Sequence, residues 1–153
     1  MNVEIEDDLK WMAIALEEAR RAGDAGEVPV GAVAILDGRQ IASGSNRTIR
    51  DCDPTAHAEM IALRVAAKVI GNYRLAGLAL YVTIEPCAMC AGAIVQARIA
   101  RVIYGADDPK GGAARSCFNV LENSQLNHRV EVVPNLRADE CAALLQEFFA
   151  ARR

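Results

Sequence analysis

Leu78-Ala79-Leu80-Tyr81-Val82-Thr83-Ile84-Glu85-Pro86-Cys87-Ala88-Met89-Cys90 holds the change of periodicity that decides the fold. Its first seven residues form an apolar run of the length of one buried strand. Pro86 ends that run, because a proline has no N–H to give to a sheet. From Cys87 to Ala97 the pattern becomes that of a short helix, which begins at the two cysteines. A strand that stops where a helix starts is the elementary step of a layered α/β protein.

Reading outward, Asp8 to Ala22 carries Leu9, Met12, Leu16 and Ala19 at helical spacing with charges between them, which predicts an amphipathic helix. Val28 to Leu36 is an apolar, branched run, Asp37-Gly38 supplies the positive-φ pair of a tight hairpin, and Arg39 to Ser45 returns as a second strand. Asp53-Pro54-Thr55 then precedes Ala56 to Val69, an alanine-rich helical pattern closed by Gly71, with Thr55 as its candidate N-cap. Beyond the central stretch, Arg101 to Tyr104 reads as a strand, Gly105 to Ser116 as a glycine-rich loop and Val130 to Val133 as a last strand. Ala138 to Arg152 closes the chain as an amphipathic helix with Leu144, Leu145, Phe148 and Phe149 on its apolar side. The expected architecture is a three-layer α/β/α sandwich around a central mixed five-stranded sheet, as one domain over residues 1–153.

Composition agrees with that size of core. Apolar residues make up 52% of the 153 and aromatics only 5%, so the interior must be built from Ala, Val, Ile and Leu. No apolar run approaches the ~20 residues of a membrane span. Met1-Asn2-Val3-Glu4-Ile5-Glu6-Asp7-Asp8 is acidic, whereas a signal peptide starts basic and continues apolar, so the expectation is a cytoplasmic protein with no membrane partner. Five cysteines are an odd number without the spacing of a disulfide scaffold, and in a reducing compartment a C-x-x-C pair points to metal or redox chemistry. Cys52, Cys117 and Cys141 are expected as buried or partly buried free thiols. The net charge of −3 hides an asymmetry: residues 1–30 hold eight acids and three bases, the remainder twelve acids and fourteen bases. Local patches, not the total, decide phosphate binding, so charge leaves the substrate open.

His57-Ala58-Glu59 falls in the first turn of the second helix, and Cys87 and Cys90 at the start of the third. One imidazole and two thiolates fill three positions of a tetrahedral zinc shell; structural sites fill all four with protein, whereas catalytic sites leave one for water. The positive ends of two helices, with the ion, favour thiolate ligands. The ion acidifies its water, and Glu59 stands where it can move the protons. Other readings exist for the parts: a capping histidine, a redox pair, half of a structural knuckle, or a closed site with His128 of Asn127-His128-Arg129 as fourth ligand. Taken together, H-A-E and P-C-A-M-C about 30 residues apart predict an open zinc site, and they resemble the signature of the zinc nucleobase deaminases, a resemblance that implies hydrolytic loss of ammonia from an amino-bearing ring carbon.

Beyond that signature, Glu27 to Val33, Asp53 to Glu59, Asn72-Tyr73-Arg74-Leu75, Leu80 to Cys87, Cys90-Ala91-Gly92-Ala93, Asn127 to Glu131 and Ala138 to Leu145 resemble the bacterial tRNA-specific adenosine deaminase family over nearly the whole chain. The resemblance implies a cytidine-deaminase-like fold, a homodimer, one zinc per subunit, and conversion of adenosine to inosine at the wobble position of an arginine tRNA, held by its anticodon stem-loop. By position, His57, Cys87 and Cys90 resemble the zinc ligands, and Glu59 the acid/base that shuttles protons while zinc-bound hydroxide attacks C6 of a flipped adenine. Asn46 resembles the asparagine that bonds the flipped nucleotide, Pro29, Val30, Ala56 and Pro86 its pocket wall, and Asp108 and Lys110 the contacts to the anticodon-loop backbone. On sequence alone Asn46 is equally a turn asparagine after the hairpin, and Asp108-Pro109 simply a turn. Asp107 and Pro109 give that loop a more acidic, stiffer reading than is usual in the family, and little basic sequence follows Arg152; both features bear on RNA affinity more than on chemistry. Three alternatives stay open: a deaminase of guanine, cytosine or a free nucleoside, a non-catalytic RNA-binding or zinc-structural module, and a deaminase acting on DNA. The Cys-x-Glu pattern of free cytidine deaminases is absent, since position 57 is histidine.

Overall fold

Residues 3–152 are described by the computed structural model, the Val3 side chain apart; Met1, Asn2 and Arg153, the ends of the expected domain, lie outside the described residues. The chain runs α1 (Val3–Asp24), β1 (Gly31–Leu36), β2 (Arg39–Ser45), α2 (Ala58–Ile70), β3 (Ala79–Ile84), α3 (Ala88–Gln96), β4 (Arg101–Ala106), β5 (Glu131–Val133) and α4 (Ala138–Ala150). The strands form one sheet in the order β2-β1-β3-β4-β5. β1 is antiparallel to both of its neighbours, whereas β3, β4 and β5 are parallel.

Two-residue alternation in the strands divides the interior into two cores. Ala32 and Ala34 of β1, Leu80 and Val82 of β3, and Val102 and Tyr104 of β4 share one side with Ala62, Leu63 and Ala66 of α2 and Ala91 and Ile94 of α3. Val33, Ile35, Tyr81 and Ile103 point the other way, onto Trp11, Met12, Ala15 and Leu16 of α1 and Cys141 of α4. The result is the expected three-layer α/β/α sandwich on a mixed five-stranded sheet. Asp37 and Gly38 make the hairpin turn with φ of 51° and 75°. Gly44 of β2 lets α2 lie directly on the sheet, since a Cβ there would stand 2.4 Å from the Ala58 carbonyl oxygen.

Several boundaries differ from the sequence reading, each for a local reason. β1 begins at Gly31 and not at Val28, because Pro29 has no N–H for a ladder and Val30 N–H instead closes on the Val28 carbonyl at 2.9 Å. α1 begins before Asp8, which is buried and tied to the Tyr81 hydroxyl and to Arg101. Thr55 is not the cap of α2: the Asp53 carboxylate takes its N–H and hydroxyl at 2.8 and 2.7 Å in a local turn, and His57 occupies the cap position. Gly71 ends α2 in the left-handed region as expected. Phe149 is exposed and not part of the apolar face, and Cys52 and Cys117 are exposed, whereas Cys141 is buried. Among the described residues no helix is long and apolar enough to cross a membrane.

Candidate metal centre and substrate cavity

α2 and α3 both start at the same end of the sheet, and their first residues meet there. His57 caps α2 and Cys87 caps α3, in each case without a side-chain capping bond, so the imidazole and the thiol are free for another partner. Cys90 lies one turn further on, so its sulfur shares the face of Cys87. His57 Nδ1 is 3.6 Å from Cys87 Sγ and 3.5 Å from Cys90 Sγ, and all three atoms lie within 4.8 Å of one another. For tetrahedral zinc with bonds of about 2.3 Å to sulfur and about 2.0 Å to nitrogen, the N···S edge is roughly 3.5 Å, so the donor set fits that ion. The second histidine is elsewhere: His128 Nε2 lies 2.7 Å from the Ile99 carbonyl oxygen. Among the described residues no other His, Cys, Asp or Glu joins the cluster.

Protonation also fits a cation. A hydrogen bond from the Cys90 thiol, with a second from His57, holds the Cys87 thiol down at about 3. The Cys87 thiolate and burial push Cys90 far up. The two sulfurs therefore hold one proton between them, which a divalent ion would displace. The hydrogen bond to Cys87 raises His57 in turn. Glu59, two residues after His57, is almost fully buried, and burial lifts its carboxyl to about 7.

Above these groups opens a cavity of about 280 Å³ lined by Val28, Val30, Asn46, Thr48, His57, Ala58, Glu59, Ile84, Glu85, Cys87 and Asp108. Val28, Val30, Ala58 and Ile84 give it an apolar wall, and Asn46, Thr48, Glu59, Glu85 and Asp108 a polar one. Asn46 is only 7% exposed, and its Oδ1 has no hydrogen-bond partner. A buried acceptor left open costs about 1–3 kcal/mol, which a ligand donor would recover.

Of the residues singled out in the sequence, the cavity gathers His57, Glu59, Cys87, Asn46, Val30 and Asp108, with Cys90 buried beside Cys87. Pro29, Ala56, Pro86 and Lys110 do not line it. Pro29 and Ala56 are buried behind the wall, the Ala56 carbonyl accepting from Arg47 N–H at 2.9 Å. The Pro86 carbonyl accepts from Ala113 N–H at 2.8 Å, and Lys110 is an exposed side chain whose N–H meets Asp108 Oδ1. Val28, Thr48, Ile84 and Glu85 line the cavity without having been singled out, although each is within two residues of one that was.

Glu85 explains the glycine-rich loop. It accepts N–H bonds from Asp108 at 3.0 Å, Ala114 at 3.1 Å, Arg115 at 2.8 Å and Ser116 at 2.9 Å, and the Ser116 hydroxyl as well. Burial pushes its carboxyl up, but these donors more than offset it and keep Glu85 an anion. Gly112 must be glycine here, since a Cβ would come within 2.3 Å of the Glu85 carboxyl carbon. The loop that carries Asp108 is therefore wrapped around one buried charge.

Comparison with known proteins extends the picture. The MafB19-like deaminase family matches residues 6–153. The tRNA-specific adenosine deaminase of Haemophilus influenzae is 51% identical over 152 residues, covering 99% of this chain and 88% of that protein. A solved structure from work on A-to-I editing by tRNA:A34 deaminases at the wobble position of transfer RNA superposes with a TM-score of 0.86. It shares 49% identity and covers 89% of this chain and 99% of that one. A guanine deaminase from Nitrosomonas europaea has a TM-score of 0.82 at 25% identity, covering 93% of this chain and 84% of that one.

Proposed function

The chain belongs to the MafB19-like deaminase family, among the tRNA-specific adenosine deaminases, and on that premise we propose that it converts adenosine to inosine at the wobble position of a tRNA anticodon. The observation that carries the reading is the buried Glu59 carboxyl beside three ligand atoms, under a cavity whose wall offers one open amide oxygen. His57, Cys87 and Cys90 would hold zinc, which when bound supplies the Lewis acidity that makes water a nucleophile near neutral pH.

The chain's own residues do the rest. Val28, Val30 and Ile84 sandwich the flipped base and keep bulk water off it. Asn46 Oδ1 accepts a hydrogen bond from the nucleotide and fixes its rotation over Glu59. Glu59 takes a proton from the attacking water and delivers it to ring N1 as the new C–O bond forms at C6. It then carries the second water proton to the departing amine as the C6–N6 bond breaks. Water and adenosine become inosine and ammonia, and Glu59 returns to its starting state. An anticodon loop suits this pocket because its bases are already partly unstacked, so flipping costs little. Asp108, on the loop gathered by Glu85, lines the cavity, and exposed Lys110 follows two residues later; both serve in this reading as contacts to the loop backbone. An arginine tRNA as carrier and the cytoplasm as workplace belong to the same proposal, as implied by the sequence resemblance to the family.

The decisive assay offers the zinc-loaded protein an arginine anticodon stem-loop with wobble adenosine, alongside free adenosine, guanine and cytidine. Inosine is expected in the RNA alone, and turnover of guanine or cytidine overturns the reading. We also propose a homodimer. Its support is an open groove of about 400 Å³ between α2 and α3, lined by Leu63, Ala67, Tyr73, Leu75 and Ala93. Sedimentation at micromolar concentration should give twice the mass of one chain; a monomer there refutes the proposal.

A further inference from the structure

We infer that Glu27 is a positioning residue for the reaction: its buried carboxylate, through Arg50, sets the place of Asn46 in the substrate cavity. The side chain of Glu27 is fully buried and takes no part in the chemistry above. Among the described residues, the hydrogen-bond partners of its carboxylate belong to the loop between β2 and α2. It accepts from Arg50 N–H at 2.8 Å, Ile49 N–H at 3.0 Å, Arg50 Nε at 3.3 Å and the Thr48 hydroxyl at 3.5 Å. The Arg50 guanidinium, so oriented, reaches back with Nη2 to the Asn46 carbonyl at 3.2 Å. On its other side Asn46 donates its N–H to the Val30 carbonyl at 3.1 Å. Asn46 is thus clamped between a cavity wall and a guanidinium that is itself held by Glu27.

The clamp matters because the Asn46 amide oxygen has no partner of its own. Nothing local fixes its aim, so the backbone must. Burial pushes the Glu27 carboxyl up, but the Arg50 and Ile49 donors more than offset it, leaving an anion. Charge-assisted bonds from a planar guanidinium are directional, which is what positioning needs. The same carboxylate joins the two sides of the cavity: it sits one residue before Val28 and holds the hydroxyl of Thr48, and both line the space. The inference rests on the proposed reading of Asn46 as the nucleotide's partner.

The test is a double-mutant cycle in zinc-loaded protein, with Glu27→Gln, Asn46→Ala and both together. Glu27→Gln keeps the volume but turns one acceptor into a donor facing N–H groups. It should retain one zinc per chain, raise KM for the wobble stem-loop and lower kcat/KM by about 100-fold, the usual scale for a reacting group misplaced by about 1 Å. In the Asn46→Ala background the same change should cost less than about threefold, because two residues acting through one contact are not additive. Full multiplication of the two losses, or no loss from Glu27→Gln, overturns the assignment. If Glu27→Gln does not fold, Arg50→Lys keeps the charge, lacks the second nitrogen that reaches Asn46, and is expected to show the same non-additivity. If the wild type deaminates a free base and not the RNA, the cycle is run on that base. Non-additivity there keeps the positioning role while the wobble reading falls, and no deamination at all overturns both.

Discussion

Glu59→Gln is expected to lose at least about 1,000-fold in kcat on wobble-adenosine RNA while keeping its zinc and its fold. The Glu59 side chain is almost fully buried, and glutamine fills the volume of glutamate, so no new void opens. What disappears is the exchangeable proton. In the wild type, burial lifts the carboxyl from its ordinary 4.5 to about 7, which lets one group accept from water and donate to the ring at the same pH. An amide cannot do either. Stability should move the opposite way. A carboxyl whose value is raised by folding binds its proton more tightly in the folded state, so the protein loses stability as pH climbs from about 4.5 through 7. Above that window the metal-free Glu59→Gln protein should therefore melt no lower than the metal-free wild type. Single-turnover inosine formation, zinc content and melting temperature measured together check all three points. Turnover above one-tenth of wild type would sink the proton-shuttle role.

The parts of this molecule that could be read from sequence are those whose physics has a period or a fixed residue type. Ala32-Val33-Ala34-Ile35 and Leu80-Tyr81-Val82 alternate because strand side chains do, and the two cores take their members accordingly. Asp37-Gly38 and Gly71 were legible because positive φ favours few residues. The clustering of His57, Cys87 and Cys90 was legible because metal chemistry admits few side chains and each sits at a helix start. The strand order was not, since pairing β1 with β3 joins residues nearly fifty apart, and no local signal encodes it. Nor were the two charges that shape the cavity. Glu27 and Glu85 bind backbone N–H groups, which every non-proline residue carries, so their partners leave no trace in side-chain pattern. Thr55 failed as a cap for a related reason: Asp53 competes for the same residue, and sequence does not say which turn wins. Cys52 and Cys117 were misplaced because a thiol's apolar tendency is weak against loop geometry.

Loss of the metal is the other large effect expected, through His57→Ala or by chelation of the wild type. Either should abolish inosine formation, because the triad has no spare histidine or thiol: His128 is committed to the Ile99 carbonyl, and among the described residues no other His, Cys, Asp or Glu joins the cluster. The fold should survive. Unlike a zinc finger, this chain has two hydrophobic core clusters that contain none of His57, Cys87 and Cys90, so far-UV circular dichroism should change little. Melting should still fall, since an ion that binds only the folded state stabilises it by mass action. At 100 times its Kd zinc contributes about 2.7 kcal/mol, and at roughly 2–4 °C per kcal/mol for a domain of this size chelation should cost about 5–10 °C. Adding zinc back restores the melting point of the wild type and leaves that of His57→Ala where it was. Acid weakens the effect, because protons compete for the two sulfurs and the imidazole. One zinc per chain retained by His57→Ala, or turnover that persists after complete chelation, would remove the triad from the active site.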